Sequence, residues 1–553
     1  MDKIWLKNYQ PGVPASIDDQ ISKYLSIGDL LDESFSKFSQ TQAFNCMGKG
    51  LTYQEIDVLS RQFASYLQND LKLQKGDRVA LMMPNILQYP VALFGVLRGG
   101  FVAVNVNPLY TGRELQHQLK DSGAKAIVIF ENACHTLQGV LDKTDVKHVL
   151  TTSIGDMLGF PKSLLVNFVI KKVKKMVPEW SIPNTKSFVT ELRKGNAKTF
   201  KKPDMKLEDI AFLQYTGGTT GVAKGAILTH KNIVANMCQA RAWLSPGLNI
   251  GTEILISPLP LYHIFSLTVS MVFVSIGATN VLITNPRDMA GFIKELKKWK
   301  FTVLPGVNTL FNGLLNHPEF KTVDFGPMKI ALGGGMAVQK AVADKWKQVT
   351  GKVLLEAYGL TETSPAACIN PLDLKAYNGF IGMPISSTEV VIKDDNDKTL
   401  GIDEVGEICI KGPQVMPGYW HRDDETAKVM TADGFFKSGD IGVINSDGYV
   451  KIVDRKKDMI LVSGFNVYPN EIEDVVATHP KVFEVAAIGV PDEKTTEAIK
   501  LFIVKKDESL TAEEIIAFCR KELTNYKVPK LVEFRTELPK TNVGKILRKD
   551  LRN

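Results

Sequence analysis

The chain has 553 residues, of which 44% are hydrophobic and 23% are charged. A chain of this length and composition buries a sizeable core and divides into several structural units, which excludes a disordered or fibrous protein. The net charge of +7 suits an anionic substrate or an anionic membrane surface, but it is too dilute for a nucleic-acid-binding protein.

The arrangement of cysteines and histidines further limits the class of protein to which the chain can belong. The six cysteines form no CxxC pair and the eight histidines form no HxxH or HExxH cluster. This pattern predicts reduced thiols in a cytosolic protein and argues against a histidine-built metal site. The first 17 residues lack an apolar core, so we expect no signal peptide.

The first half of the chain alternates between strand and helix patterns. Strands are predicted at residues 78–83, 101–106 and 126–130, and a helix at residues 89–97. A second helix should begin at the capping box formed by Thr111 and Glu114 and end at Gly123. Strands separated by helices of this length predict parallel βαβ units with helices on both faces of a sheet.

Residues 254–286 contain no Asp, Glu, Lys or Arg, and residues 264–283 are long enough to cross a bilayer. The segment nevertheless carries several Ser, Thr, Gly and Asn residues, and it follows Pro258, Pro260 and His263. We therefore interpret it as a buried helix and strand of a soluble α/β domain.

Residues 161–180 combine an apolar set with four lysines at 171, 172, 174 and 175. Two interpretations remain open. The segment is either a helix attracted to the surface of an anionic membrane, or an ordinary amphipathic helix that packs on its own core and leaves its lysines in solvent. The apolar set is Leu165, Val169, Val173 and Met176.

The composition changes near residue 455. Residues 456–553 contain 33 charged residues in 98, whereas residues 1–455 contain 94 in 455. The change predicts a smaller and more polar C-terminal domain, with strands near 485–490 and 499–504. A helix capped by Thr511 and Glu514 should run to about Leu523.

The segment Tyr215–Gly225 (YTGGTTGVAKG) follows a predicted strand at residues 210–214. The turn therefore lies at the carboxyl end of a strand, where α/β proteins bind ligands. Glycines let backbone amides point inward, threonines add hydroxyl donors and Lys224 adds a charge, which together make a phosphate cradle. The spacing differs from a Walker A loop, because Lys224 lies three residues after Gly221 and precedes Gly225.

This loop resembles the phosphate-binding signature of the adenylate-forming superfamily, which includes acyl-CoA synthetases, luciferases and peptide-synthetase adenylation domains. Five further segments resemble motifs of the same superfamily in the same order along almost the whole chain. They are Ala331–Gly335 (ALGGG), Ala357–Thr363 (AYGLTET), Lys437–Asp440 (KSGD), Asp454–Asp458 (DRKKD) with Val462–Phe465 (VSGF), and Pro539–Lys545 (PKTNVGK).

Three other segments resemble the fatty acyl-CoA synthetases within this superfamily, namely residues 433–473, 259–265 and 85–90. The chain has Phe435-Phe-Lys-Ser-Gly-Asp440 where these proteins commonly have Trp-Leu-His-Thr-Gly-Asp. The aspartate is kept, so the departure concerns local detail. The resemblance implies activation of long-chain fatty acids: attack on ATP gives an acyl-adenylate and pyrophosphate, and coenzyme A then forms the thioester.

The resemblance also implies roles for individual residues. Lys545, Glu362, Thr216 and Lys224 would be catalytic, and Glu362 with Thr216 would hold Mg²⁺. His263 and Gly334 would contact the acyl substrate. The nucleotide and coenzyme A would contact Tyr215, Thr216, Gly217, Gly218, Thr219, Thr220, Gly221, Lys224, Gly333, Gly334, Gly335, Tyr358, Gly359, Thr361, Glu362, Asp440, Arg455, Gly464 and Lys545. Three of these assignments have plainer alternatives, since Glu362 could be a helix-capping carboxylate, His263 a core histidine and Gly464 a turn glycine.

The implied fold is α/β, with a large N-terminal domain of layered α/β sheets at residues 1–454 and a small mobile α+β domain at residues 455–553. A hinge near residues 455–457 would swing the small domain between two poses, one for each half-reaction. The implied partners are a fatty acid, ATP, coenzyme A and Mg²⁺, with peripheral contact to the inner face of the cytoplasmic membrane. The chain could also form a homodimer, and we expect no nucleic-acid partner.

Competing functions remain open from the sequence. Within the fold, the alternatives are a medium-chain or aryl-acid ligase, or an acyl-AMP ligase that loads a carrier protein in trans. From another class, the alternative is a lipid-binding protein at the membrane surface with a degenerate ligase fold. Intact residues at 216, 224, 362, 440 and 545 argue against the last.

Overall fold

The computed structural model describes residues 3–216 and 223–552. The glycines and threonines predicted to cradle phosphate at 217–221 lie outside the described residues.

The described part of the chain forms strands in four sheets. The strands are β1 (Gln42–Cys46), β2 (Lys49–Thr52), β3 (Arg78–Met82), β4 (Val102–Asn105), β5 (Ala126–Phe130), β6 (His148–Thr152), β7 (Lys186–Ser187), β8 (Ile210–Thr216), β9 (Lys224–Thr229), β10 (Ile254–Ser257), β11 (Thr279–Leu282), β12 (Val303–Gly306), β13 (Ile330–Gly334), β14 (Leu354–Gly359), β15 (Ala366–Ile369), β16 (Met383–Pro384), β17 (Glu389–Lys393), β18 (Gly406–Lys411), β19 (Phe436–Ile444), β20 (Val450–Arg455), β21 (Ile460–Val462), β22 (Phe465–Val467), β23 (Val482–Asp492), β24 (Thr496–Lys505) and β25 (Leu531–Arg535).

Helices cover the sheets and connect their strands. They are α1 (Asp18–Ile21), α2 (Ile27–Lys37), α3 (Tyr53–Asn69), α4 (Gln88–Arg98), α5 (Gly112–Ser122), α6 (Cys134–Gln138), α7 (Lys162–Phe168), α8 (Phe188–Lys194), α9 (His230–Leu244), α10 (Ile264–Ser275), α11 (Met289–Leu296), α12 (Asn308–Asn316), α13 (Lys340–Thr350), α14 (Asp423–Val429), α15 (Pro469–Ala477) and α16 (Ala512–Glu522).

The first large sheet has the order β7-β6-β5-β3-β4-β8-β9 and is parallel except for β9, which pairs antiparallel with β8. Its βαβ units agree with the predicted pattern. The capping box of α5 is present, and Gly123 ends the helix with a positive φ of 59°. Such a C-terminal residue favours glycine because a side chain would be strained there.

The second large sheet has the order β16-β15-β14-β13-β12-β10-β11-β1-β2. Helix α4 is buried along its whole length. It contacts β3 and β4 of the first sheet, and its Phe94 packs 6.1 Å from Phe44 of the second sheet, centroid to centroid. Aromatic pairs at this distance bury much apolar area, so this layer joins the two sheets into one core.

A third, antiparallel sheet, β17-β18-β19-β20, ends at Arg455. The small domain begins beyond it and contains the sheet β22-β21-β24-β23, with β25 paired to β24. The α/β fold with a large layered domain and a small C-terminal domain is therefore confirmed. The break between the third and fourth sheets falls between residues 455 and 460, close to the predicted boundary, while the hinge itself stays a prediction.

The uncharged segment at 254–286 forms β10, α10 and β11, and most of α10 is buried. This agrees with the interpretation as a buried helix and strand. Across the described ranges, none of the helices combines the length and the apolar character that a membrane crossing requires.

Residues 161–180 lie at the surface of the molecule, where most of their side chains are exposed or only half-buried. Helix α7 and the helical turn at Val169–Val173 contain no fully buried residue, whereas Val166, Val169 and Ile170 are half-buried, so both interpretations of the segment stay open. Polar contacts also attach the segment, because Asn167 hydrogen-bonds to Asp156 Oδ1 at 2.8 Å and to the Gly155 amide at 2.7 Å.

Candidate active site

The ends of neighbouring strands form the floor of the site. Strands β13 and β14 are parallel, with Gly334 opposite Ala357, so the glycine segment after β13 lies beside the segment Tyr358–Glu362. Gly334 leaves no room for a side chain, since a Cβ there would lie 2.9 Å from Phe265 Cζ. Gly335 follows with a φ of 77°.

The side chains of Asp440 and Tyr358 are in direct contact at this site. Asp440 on β19 is buried and accepts a 2.7 Å hydrogen bond from the Tyr358 hydroxyl. Arg455 faces Asp440 across β19 and β20, with Nε 3.5 Å from Oδ1. Burial raises the pKa of Asp440, and the Arg455 charge opposes that rise. The predicted ribose-binding pair is thus brought together.

Lys545 reaches the same place from the small domain. It follows Gly544, whose φ is 85°, in a turn closed by a 2.7 Å hydrogen bond from Thr541 N to Lys545 O. Burial lowers the pKa of Lys545 to about 8; the Arg455 charge adds to this fall, and Asp440 and Glu362 oppose it. Thr309 of the large domain holds the turn by donating to Gly544 O at 2.8 Å.

His263 caps the start of α10, where its Nδ1 accepts a 3.3 Å hydrogen bond from Phe265 N. Burial lowers the pKa of His263 to about 3, with the Lys545 charge as the second cause. The ring is therefore neutral, and because Nδ1 is an acceptor, the tautomer assigned from this bond carries its hydrogen on Nε2. His263 lines a cavity and is not a residue of the closed core.

This cavity joins the polar groups to an apolar interior. Lys545, His263, Tyr358 and Thr361 lie on its wall, and its free volume is about 90 Å³. Side chains from α9 and α10 form its apolar part. They are Ala240, Leu244, Phe265, Val269, Val272 and Phe273, with Ile369 of β15.

Thr216 and Lys224, on either side of the phosphate loop, lie on paired strands. Thr216 ends β8 and lies opposite Lys224, which begins β9. Lys224 Nζ forms a 2.8 Å ion pair with Glu425 Oε2 and lies 4.6 Å from the ring centroid of Tyr419. Pairing with Lys224, and then with Lys428, lowers the pKa of Glu425 to about 2.

Glu362 lies in the short helical turn Thr361–Thr363 and is buried. Its Oε1 accepts a 2.7 Å hydrogen bond from the Tyr419 hydroxyl. No other hydrogen bond to this carboxylate is found among the residues that the structure describes. Across those same ranges, no group of three His, Cys, Asp or Glu side chains is arranged to hold a metal ion.

Two predicted residues lie apart from this cluster. The Tyr215 side chain turns toward α5, where its hydroxyl donates to Asp121 Oδ2 at 2.6 Å, so only its backbone faces the loop. Gly464, with a φ of 83°, lies in the exposed β21–β22 turn, and a Cβ there would meet nothing within 4 Å.

Tyr419, Glu425 and Ala240 lie at the site but belong to none of the motifs found in the sequence. Tyr419 is joined to β9 through an isolated bridge to Ala226, a long-range contact with no local pattern. Glu425 could have been suspected only as one of several acidic residues at the start of α14. Ala240 is one of many buried positions on α9.

The profile of the AMP-binding enzyme family matches residues 31–420, and that of the AMP-binding enzyme C-terminal domain matches residues 471–545. A long-chain-fatty-acid–CoA ligase from Yersinia pestis is 56% identical over 100% of this chain and 98% of that protein. The protein of the same name from Escherichia coli O157:H7 is 54% identical over the same shares.

Solved structures are similar over nearly the full length. The crystal structure of ATP-bound MatB from Rhodopseudomonas palustris has a TM-score of 0.81 and 28% identity, over 95% of this chain and 98% of that chain. Apo MatB gives a TM-score of 0.72 over the same shares.

Proposed function

The chain belongs to the family of AMP-binding enzymes, and we propose that it is a long-chain fatty acid–CoA ligase. The observation that carries the proposal is the cavity at Lys545. It places a lysine, a neutral histidine and the Tyr358–Asp440 pair at one end, and an apolar space between α9 and α10 at the other. A fatty acid has this same division between a charged head and an apolar tail. The ligases of 54–56% identity support the same substrate class.

The first half-reaction makes the carboxylate reactive. A fatty acid oxygen attacks the α-phosphorus of ATP, the bond to the β-phosphate oxygen breaks, and pyrophosphate leaves with that electron pair. Two anions must approach each other, so the site needs positive charge and oriented donors where negative charge builds. Lys545 is the cation at this point, and the Nε2–H of His263 is a donor for the carboxylate.

The second half-reaction needs no nucleophilic side chain. The thiol of coenzyme A loses its proton to water and its sulfur attacks the acyl carbonyl carbon. The bond between that carbon and the phosphate oxygen breaks, and AMP leaves with the electron pair. In both half-reactions, Asp440 and Arg455 would hydrogen-bond the ribose of the nucleotide, and the Tyr358 ring would face its adenine. Thr216 and Lys224 would hold the departing pyrophosphate with the loop between them.

Mg²⁺ fits the residues that are present. Hard cations take oxygen ligands, and Mg²⁺ is commonly held by one or two carboxylates together with substrate phosphates. Glu362 offers one buried carboxylate with Oε2 not engaged by another described residue, and Thr216 offers a hydroxyl. When bound, the ion would neutralise charge on the phosphates, which fits a site with a single carboxylate rather than a protein cage.

The position of the small domain supports the first half-reaction. Lys545 lies in the cavity while Gly464 lies in solvent. The higher TM-score of ATP-bound MatB, 0.81 against 0.72 for the apo form, agrees with a pose suited to ATP. We propose that a second pose, reached by rotation near residues 455–457, brings Gly464 toward the route of the thiol.

The cavity must widen to receive a long acyl chain. Its free volume of about 90 Å³ equals the share of about three liquid waters, whereas ligand pockets are usually about 300–1,000 Å³. Its lining between α9 and α10 is made of side chains such as Leu244 and Phe273 that can change rotamer. Substrate binding would therefore separate these side chains.

We also propose peripheral contact with the inner face of the cytoplasmic membrane through residues 160–176, the surface segment. Six of its large apolar side chains are exposed by more than half, and its lysines at 171, 172, 174 and 175 are exposed beside them. Such a surface combines burial of apolar area with attraction to anionic lipid. The exposed apolar side chains are Phe160, Leu164, Leu165, Phe168, Val173 and Met176.

Cysteine chemistry and substrate partitioning support the cytoplasmic side for this contact. All six cysteines are free and buried, which suits a reducing compartment, and long-chain fatty acids partition into bilayers because they are apolar. A surface segment would let the enzyme take its substrate from the membrane.

The decisive experiment is CoA-ester formation with ATP and Mg²⁺ across fatty acids from C6 to C18. The proposal predicts that activity is greatest with the long chains and that AMP and pyrophosphate form in equal amounts. Preference for a short or aromatic acid would favour the medium-chain or aryl-acid alternative. Acyl-AMP formation without transfer to coenzyme A would favour a carrier-loading enzyme.

A further inference from the structure

Tyr419 lies between the two residues that would receive the triphosphate of ATP. Its hydroxyl donates to Glu362 Oε1 at 2.7 Å, and its ring lies 4.6 Å from the Lys224 ammonium, measured to the ring centroid. One side chain therefore touches both the carboxylate available to the metal and the cation available to the phosphates.

Hydrogen bonds join the backbone around Tyr419 to β9 and to Glu362. Its amide donates to Thr426 Oγ1 at 2.9 Å, and it forms a bridge with Ala226 of β9. The next amide, of Trp420, donates to Gly225 O at 2.8 Å, and the Met416 amide donates to Glu362 O at 2.8 Å. Tyr419 as a whole is 6% exposed, so the direction of its ring is set by packing as well as by these bonds.

We propose that Tyr419 is a positioning residue that fixes the Glu362 carboxylate for Mg²⁺ and the Lys224 ammonium for the phosphates. This inference rests on the proposed adenylation reaction but adds a residue that no motif of the sequence contains. The hydroxyl orients one carboxylate oxygen and leaves the other for the metal. The ring face attracts the ammonium and keeps it at the edge of the phosphate loop.

The two functions of the side chain can be separated by substitution. Tyr419→Phe keeps the ring beneath Lys224 and removes only the bond to Glu362. Tyr419→Leu removes both. Loss of a group that orients a metal ligand commonly costs about 10–100-fold in metal affinity, so we expect the Phe variant to bind the divalent ion at least about 10-fold more weakly and to bind pyrophosphate normally.

The test measures binding rather than turnover. Binding of Mn²⁺, as a substitute for Mg²⁺, is followed by electron paramagnetic resonance with α,β-methylene-ATP saturating the site. Binding of inorganic pyrophosphate without a divalent ion is followed by calorimetry. Tyr24→Phe is the matched control, because the Tyr24 hydroxyl donates to Glu33 Oε2 at 2.7 Å outside the site. It should leave both affinities unchanged.

The inference predicts weaker Mn²⁺ binding in Tyr419→Phe with normal pyrophosphate binding, and weaker binding of both in Tyr419→Leu. Parental Mn²⁺ affinity in Tyr419→Phe would overturn it even if Tyr419→Leu failed to fold. An equal change in Tyr24→Phe would overturn it as well. If the parental protein formed no acyl-adenylate from any acid, the proposed function would fail instead, and that result is distinguishable.

Discussion

Lys545 of the small domain lies against Gly335 of the large domain, so closely that a Cβ built on Gly335 would be 3.3 Å from Lys545 Cε. The Thr309–Gly544 hydrogen bond holds the same turn. The lysine is thus placed by contacts that exist only while the two domains are in this pose. If the small domain moves as proposed, its position would control whether a cation is present where the acyl-adenylate would form.

The pH dependence of the first half-reaction should report on Lys545. Its pKa is lowered to about 8, so its charge is present below that pH and is lost as the pH rises through it. ATP–pyrophosphate exchange should therefore fall at alkaline pH. The charged groups around Lys545 are Asp440, Glu362 and Arg455, while His263 is neutral at alkaline pH because its pKa is about 3.

Lys545→Arg is the matched variant for this profile. Arginine stays protonated throughout the alkaline range, so the alkaline fall should move to higher pH even if the variant is slower. Identical alkaline limbs in the two proteins would mean that another group, or pyrophosphate itself, causes the fall.

Glu425→Gln should strengthen the binding of inorganic pyrophosphate severalfold. The Glu425 carboxylate pairs with Lys224 at 2.8 Å and so competes with phosphate for the same ammonium. Glutamine keeps the size and removes the charge. Calorimetry with pyrophosphate measures the change. Asp424→Asn is the control, because Asp424 is on the same helix but pairs with Lys428, at 3.9 Å, rather than with Lys224. Weaker binding in Glu425→Gln would show that the carboxylate supports Lys224 rather than competing for it.

Ala240→Trp should change the preferred acyl length. Ala240 is buried on α9 and lines the cavity together with Leu244 of the same helix. An indole there would fill the space that a long chain needs while leaving room near His263. We expect the ratio of C16 to C6 activity to fall by at least about 10-fold, within the range that pocket contacts provide.

Ala240→Gly serves as the control for Ala240→Trp, since it disturbs the same helix without filling the cavity. An unchanged ratio of chain lengths in a folded Trp variant would place the acyl chain elsewhere.

Replacing the four lysines of the surface segment by glutamine should lower binding to anionic vesicles. Each lysine near an anionic surface contributes about 1 kcal/mol, and the attraction is screened by salt. Sedimentation with anionic and with zwitterionic vesicles measures the change, while activity on a soluble acid should stay at the parental level. Parental binding by the glutamine variant would refute the electrostatic contribution, and retention after a carbonate wash would refute peripheral attachment.

Local signals in the sequence predicted much of the architecture. The capping box at Thr111 and Glu114, the strand pattern before Thr216 and the uncharged helix α10 depend on neighbouring residues, so their structure could be anticipated. The resemblance also anticipated that Asp440, Arg455, Tyr358 and Lys545 would meet, although they are far apart in the chain.

Other features depend on tertiary contacts and could not be predicted in this way. The surface segment shows the same helical period whether its apolar side packs inward or faces solvent. Its orientation depends on tertiary contacts such as those of Asn167 with Gly155 and Asp156 and of Lys171 with Glu131. Tyr215 turns away from the loop because Asp121 of α5 offers its hydroxyl a partner. Tyr419 comes to Glu362 through a bridge between segments almost 200 residues apart.

The central claim is that Lys545 serves adenylation and that the small domain must move before coenzyme A reacts. The claim gives opposite expectations for two variants. Lys545→Ala removes a charge aimed at developing negative charge, a loss of roughly 10²–10³ in rate for one such donor. Gly464→Leu places a side chain in an exposed turn that would line the route of the thiol in the second pose.

The most direct test is to measure thiolysis of supplied acyl-AMP by coenzyme A in Lys545→Ala, beside ATP–pyrophosphate exchange in the same preparation. The account predicts that exchange falls by roughly 10²–10³ while thiolysis stays near the parental rate, with the reverse pattern in Gly464→Leu. Equal loss of both steps in Lys545→Ala would contradict it, because the lysine would then be a structural residue or a contact shared by both half-reactions.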